Sequence, residues 1–443
     1  MPRSRPTFAS YEPLALAFVV NRSCLLIGVH SAYPRVAAVI AAAGVVVLVV
    51  SALAPPLRLL SRPNLGDITE YHGYAHRTFD GQLPYRDFRV EYPPAFLPVV
   101  LAPGPADNGY YNRFRLLMLA LGAVALVLLV VALYLVGANP VELSTGALLV
   151  ATLPYTLGPG LVFERFDLWP AVLLLGAVVA LLKERRTLAF ASLAVGTVAK
   201  LYPVVVVPLA LLAPHRGRSV RRDLAAFTAA ALTLSLPFLI VAPRGVGHVA
   251  RLLEQRPLHV ESLGSSILLT AHGLGVYKPT IYNSFAGSWD VAGPAAKIVA
   301  VVGTAAEAAA LILVWALFAR GPRGSRELLL AVAAAAVAFV TFGKVFSPQY
   351  MVWIATAVPL ALGRVRTFAL LATLAAMLLT HYVYVDHYQA LLQAGQVSWL
   401  LLARNLLLVA LFCALVLELA TRRGRVVHSG VLKPEGVADA QRT

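Results

Sequence analysis

The sequence predicts an all-α polytopic membrane protein with about ten to twelve transmembrane helices and a long first extracytoplasmic loop. Three observations lead there. Hydrophobic residues fill 59% of the 443 positions, charged residues only 13%, and the mean hydropathy is +0.76, more apolar surface than a soluble fold can hide. Apolar stretches near the length of about 20 residues that crosses a hydrocarbon core recur along the chain. Short arginine clusters punctuate them, as cytoplasmic loops do under the positive-inside rule.

Taken in order, residues 1–35 read as a cytoplasmic or interfacial segment. Arg3 and Arg5 precede an apolar run at Leu14 to Val20, but Asn21 and Arg22 interrupt it and no small-residue cleavage site follows. A short interfacial or re-entrant segment is expected there, ahead of a membrane domain over 36–420 whose first clear span is Val36 to Leu53. Pro55 to Arg113 is the longest polar interval, rich in aromatics, prolines and charges of both signs. Spans follow at Phe114 to Val136, Leu143 to Leu161 and Leu168 to Leu182, the last ending in Lys183, Glu184, Arg185 and Arg186, which belong inside.

Thr187 to Ala213 has the length of one span, yet the basic run His215, Arg216, Arg218, Arg221, Arg222 comes straight after it. A single crossing would put two adjacent basic clusters on opposite faces. Lys200 and Pro203 interrupt the stretch in its middle, so two half-helices are expected to enter and return as a hairpin. Spans at Leu224 to Val241, Ile298 to Phe318, Leu328 to Phe342, Met351 to Leu362, Phe368 to Tyr384 and Leu400 to Leu419 then keep Arg320, Arg323, Arg326, Arg364, Arg366, Arg422, Arg423 and Arg425 inside. Both termini fall inside, residues 421–443 reading as a disordered tail. Pro55 to Arg113, Glu164 to Asp167, Pro243 to Asp290, Gly343 to Gln349 and Val385 to Trp399 share the outer face.

The net charge of +16 lies mostly in the arginine clusters and the tail, where topology and anionic lipid explain it, so nucleic acid is not an expected partner. Cys24 and Cys413 have neither metal nor disulfide spacing. His72, His76, His259, His272, His381 and His387 lack the acid-bearing context of a zinc enzyme, although His72 and His76 stand four apart. With no phosphate-binding loop and no dinucleotide fingerprint either, no cofactor and no metal are expected.

In the first outer loop Asp67, Glu70, Tyr71 and Tyr74 fall on one face of an expected surface helix, which the Asp80-Gly81 turn ends. Asp67 and Glu70 stand in capping-box spacing, so Asp67 is open to two readings, a helix cap or a general base. A lone carboxylate suffices as base where the leaving group is already a phosphate, which departs as a stabilised anion, provided cations receive it. Arg165 and Lys344, at outer ends of spans, and Lys200, at the hairpin break, are the candidate phosphate-binding cations. Each has a structural alternative, snorkelling for the first two and pairing with carbonyls at a half-helix end for Lys200.

Four pieces in this order resemble glycosyltransferase family 87, the polyprenyl-phosphomannose-dependent α-mannosyltransferases of actinobacteria within the GT-C superfamily. They are Gly66-Asp67 with Tyr71; Gly81-Gln82-Leu83-Pro84-Tyr85-Arg86-Asp87-Phe88 leading to Glu91-Tyr92-Pro93-Pro94; Arg165-Phe166-Asp167-Leu168-Trp169-Pro170; and Ala199-Lys200-Leu201-Tyr202-Pro203 with Phe346-Ser347-Pro348-Gln349-Tyr350 and Trp353. The resemblance implies a GT-C fold in the plasma membrane, with Asp67 as catalytic base on the extracytoplasmic face. It further implies inverting transfer of a hexose, mannose in the family, from a polyprenyl-phosphate donor to a glycolipid or cell-envelope glycan. Arg165, Lys200 and Lys344 would meet the donor phosphate, and Glu70, Tyr71, Glu91, Tyr92, Asp167, Ser347 and Gln349 would line the substrate. Acceptor selection is expected in Arg256 to His272 and Tyr282 to Trp289. Two other classes compatible with the span count are a secondary transporter, which predicts matching halves that this sequence lacks, and a non-catalytic lipid-carrier-binding protein.

Overall fold

The computed structural model describes residues 14–54, 67–214, 219–284 and 287–431. Gly66, the basic residues 215–218 and the tail beyond Val431 therefore lie outside the described residues. What is described is an all-α, membrane-embedded bundle. Seven of its helices are long and apolar enough to cross a membrane, and the apolar segments Pro140–Ala151, Leu168–Leu182, Arg186–Ala199 and Tyr202–Leu212 are shorter.

In chain order, α1 (Leu14–Leu53) and the surface helix α2 (Ile68–Phe79) precede α3 (Tyr110–Leu135), α4 (Pro140–Ala151) and α5 (Leu168–Leu182). Then come α6 (Arg186–Ala199), α7 (Val207–Leu212), α8 (Val220–Val241) and α9 (Pro243–Gln255). After these come α10 (Leu263–Gly273), α11 (Pro294–Arg320), α12 (Ser325–Phe342), α13 (Met351–Ala357), α14 (Arg366–Thr380) and α15 (Val397–Val431), with a few helical pieces of four or five residues between elements. The core helix is α12, whose Leu328 to Ala338 are buried all round, whereas Leu232, Leu236, Leu239 and Ile240 of α8 are exposed as a lipid-facing helix requires.

Several boundaries differ from the sequence reading, for physical reasons. The backbone of α1 runs unbroken past Asn21 and Arg22, because polar side chains change where a segment is soluble without denying it helical hydrogen bonds. The expected span Leu143 to Leu161 is three pieces, since Pro154 and Pro159 restrict the helix and Gly158 takes φ +89°. Met351 to Leu362 tightens after Ala357 into a 3-10 turn at Pro359. At the other end, α15 carries helix ten residues past Thr421, to Val431. The second long interval expected outside, beginning at Pro243, also holds a small antiparallel sheet in the order β1 (Leu258–His259), β3 (Trp289–Ala292), β2 (Thr280–Asn283), a minor addition to a helical chain.

Lys200 sits at the break of the hairpin in extended backbone, φ −159° and ψ 127°, between α6 and the 3-10 turn Tyr202–Val206 that leads into α7. The chain does return. Arg186, at the start of α6, donates to the carbonyl of Ala210, near the end of α7, at 3.0 Å, and to Asp223 of α8 at 2.9 Å through Nε. Around this end Arg326 donates to the Gly137 carbonyl at 2.8 Å, Arg366 to the carbonyls of Pro359 and Glu142, and Arg422 to Glu327 and the Leu362 carbonyl. Arginines thus bond backbone carbonyls at this pole, most of them near helix C-termini, where the dipole favours a cation; the Glu142 carbonyl, in the first turn of α4, is the exception. Every loop expected to be cytoplasmic and described here meets its neighbours at this one pole.

Candidate functional site

The other end of α5 from Arg186 carries Asp167 at its head, with Glu164 just before it. At about 1.5 Å per residue the 15 residues of α5 span roughly 22 Å, against roughly 39 Å for the 26 of α3, and the Asp167 side chain is 1% exposed. The turn Glu164 to Asp167 is pinned by Arg115 of α3, whose Nη2 lies 2.6 Å from Glu164 with both side chains buried. Trp169 ties the same turn to the first loop by donating to the Ala95 carbonyl at 3.1 Å.

Asp67 precedes α2 in helical backbone, φ −67° and ψ −6°, and its side chain makes no capping hydrogen bond. An N-cap needs extended backbone to aim its carboxylate at the free amides, so the capping reading fails on geometry. Glu70 does not complete a capping box either and accepts from Tyr74. Oδ2 of Asp67 instead has three neighbours, each at 3.4 Å, namely the hydroxyls of Tyr71 and Tyr92 and Nη1 of Arg165. Charge-assisted contacts close to about 2.7 to 2.9 Å when fully formed, so this carboxylate is held loosely. Its side chain is 26% exposed, whereas Arg165 beside it is 10% exposed.

Arg165 gives Nη2 to the hydroxyl of Tyr384 at 2.9 Å, and its buried Nε has no hydrogen-bond partner among the described residues. Tyr384 lies in a wide π-helical turn, His381–Asp386, that ends the span begun by α14. Lys200 donates to Oδ1 of Asp167 at 2.8 Å. Four aromatic rings surround the ammonium: Phe166 at 4.6 Å, Trp353 at 5.2 Å, Tyr350 at 5.4 Å and Tyr92 at 5.7 Å to the centroid. Tyr92 therefore touches both halves of the site, its hydroxyl at Asp67 and its ring against Lys200.

Glu91 lies on the loop beside this centre. Burial, and then Glu70, push its carboxyl up to about 7, with Arg256 opposing. The second outer interval packs alongside through His259, whose imidazole burial holds down to about 3, and Glu261, which pairs with Arg404 at 3.2 Å in full burial.

The structure brings together Asp67, Tyr71, Tyr92, Arg165, Asp167 and Lys200, with Glu70 and Glu91 adjoining. Ser347 and Gln349 are buried at the 3-10 turn that introduces Tyr350. The Lys344 side chain makes its hydrogen bond outside this group. Its Nζ donates to the Glu254 carbonyl at the end of α9, because the Gly343 bend after α12 turns it toward the second interval. The sequence reading missed Tyr384 and the pair Glu261–Arg404, whose only signals were an aromatic-rich span end, His381 to Tyr388, and a lone arginine inside an apolar run. Among the described residues no group of three or more histidine, cysteine or acidic side chains could hold a metal; His72 stacks on Tyr111 and His76 pairs with Asp80. Compared with known protein families the chain matches no family model, and compared with curated proteins it has no significant match.

Proposed function

We propose that the chain is a GT-C type membrane glycosyltransferase. It would transfer a hexose, mannose by resemblance, from a polyprenyl-phosphate donor to a lipid-linked or cell-envelope glycan acceptor, on the extracytoplasmic face of the plasma membrane. The observation that carries the reading is Asp67: a partly exposed carboxylate that caps nothing, held loosely by two phenols and by an arginine with donor capacity to spare. The outer face is supported by the collection of basic clusters at the other pole.

In this reading the acceptor hydroxyl lies against Asp67, which takes its proton as the oxygen attacks the anomeric carbon. The bond from that carbon to the phosphate oxygen breaks, its electron pair leaving with the polyprenyl phosphate. Attack opposite the leaving group inverts a β-linked donor to an α-linked product. A phosphate arriving at Arg165 would draw the guanidinium from Asp67 and leave the carboxylate free to act as base.

The test is label transfer by the purified chain from radiolabelled polyprenyl phosphomannose to a membrane lipid extract. The reading expects transfer by the wild type and its loss in Asp67→Asn. No transfer by the wild type, or equal transfer by the variant, contradicts it.

A further inference from the structure

Four buried polar atoms on Lys200's contact residues, or on residues next to them, have no hydrogen-bond partner among the described residues: Oδ2 of Asp167, the hydroxyl of Tyr202, Nε1 of Trp353 and Oε1 of Gln349. Buried polar groups are nearly always satisfied, since each orphan costs free energy. Two of the four belong to one aromatic stack. Tyr202 lies on Trp353 with ring centroids 4.1 Å apart and planes 8° apart, and Trp353 lies on Tyr350 at 4.0 Å and 17°. Gln349 immediately precedes Tyr350 on the turn. Asp167 reaches the stack through Lys200.

The unmet chemistry is mixed, and that decides the ligand. Trp353 can only donate, Asp167 and the Gln349 oxygen can only accept, and Tyr202 can do either. A phosphate is an acceptor alone. It would leave Asp167 and Gln349 unmet and would be repelled by the Asp167 carboxylate, which already neutralises the Lys200 charge at 2.8 Å. A sugar hydroxyl both donates and accepts, so two or three hydroxyls can meet all four atoms; both faces of Trp353 are covered by Tyr202 and Tyr350, so the sugar would be held through its hydroxyls and not by stacking on that ring. Arg165 has the opposite profile, a charged donor with its Nε unmet and no acceptor.

Resting on the glycosyltransferase reading, we infer that the Lys200–Asp167 pair with Tyr202, Gln349 and Trp353 is the subsite that holds the hydroxyls of the transferred sugar, and that the donor phosphate belongs to Arg165. This changes the role expected of Lys200, from anion binding to polarising Asp167 and reading hydroxyls.

The experiment compares two ligands on the full-length protein in lipid nanodiscs: polyprenyl phosphomannose and polyprenyl phosphate, both tritiated in the polyprenyl chain. Tyr202→Phe and Trp353→Phe each remove one unmet atom. Each is expected to weaken the sugar-bearing lipid about three- to tenfold, the usual effect of one lost hydrogen bond, while leaving polyprenyl phosphate within about twofold. Arg165→Gln is expected to weaken both. Tyr202→Phe should also leave unliganded thermal stability unchanged or raised, because the hydroxyl it deletes bonds to nothing. Equal weakening of both lipids by the two phenylalanine variants, no weakening of either, or a clear stability loss in Tyr202→Phe overturns the subsite while the glycosyltransferase reading stands. A wild type that binds neither lipid overturns both.

Discussion

Arg186→Gln tests the hairpin that carries Lys200 to its position. Arg186 is nearly buried, with Asp223 equally so, and closes on that carboxylate through Nε at 2.9 Å and Nη2 at 2.5 Å. Nη2 also holds the carbonyl of Ala210, joining the start of α6 to the end of α7. Glutamine removes the charge and leaves Asp223 buried without its counter-ion, a loss expected at about 3 to 5 kcal/mol. Replacing both partners by leucine removes the stranded charge, so Arg186→Leu with Asp223→Leu should recover most of that loss. What remains is the Ala210 bond, worth about 1 kcal/mol. Equilibrium unfolding in mixed micelles of wild type, Arg186→Leu, Asp223→Leu and the double variant gives the four corners of the double-mutant cycle. A single variant costing under about 1 kcal/mol, or a double variant as unstable as the sum of the singles, would refute both the burial of the pair and its part in closing the hairpin.

Two further outcomes follow from the site. Glu91 is raised toward 7 in the folded protein from 4.5 unfolded, so between those values the unfolded chain releases its proton first. Wild-type stability therefore falls across pH 4.5 to 7 relative to Glu91→Gln and runs parallel to it above; unfolding midpoints that stay parallel from pH 4 to 9 would contradict the burial of Glu91. Lys344→Gln should keep label transfer within about twofold of wild type, and Arg165→Gln should lower it by about two orders of magnitude, as loss of a preorganised charge at a leaving anion does. Transfer rates that rank the two variants the other way would remove Arg165 from the anion site.

The hairpin was legible because two adjacent basic clusters allow no single crossing between them, and the Arg186–Ala210 bond closes it as that constraint requires. Asp67 was legible as a candidate only. Sequence spacing cannot separate a cap from a base, since the difference lies in backbone ψ and in where the carboxylate points. The position of Lys344 was not legible, because a cation at a span end says nothing about which way the neighbouring bend turns it, and its Nζ bonds the Glu254 carbonyl. Span boundaries blurred wherever proline fell inside an apolar run, as at Pro154, Pro159 and Pro359, since hydropathy does not register a missing amide hydrogen. Tyr384 and Glu261–Arg404 were out of reach because their partners lie far along the chain, 219 residues apart for Arg165 with Tyr384 and 143 for Arg404 with Glu261.

The central claim is that Asp67 acts as a base and caps no helix. The most direct measurement sets label transfer beside unfolding stability for wild type and Asp67→Asn, using polyprenyl phosphomannose and a membrane lipid extract. The account predicts transfer reduced at least about a hundredfold, with stability within about 0.5 kcal/mol of wild type. Undiminished transfer, or a loss of transfer that only follows a loss of folded protein, would contradict it.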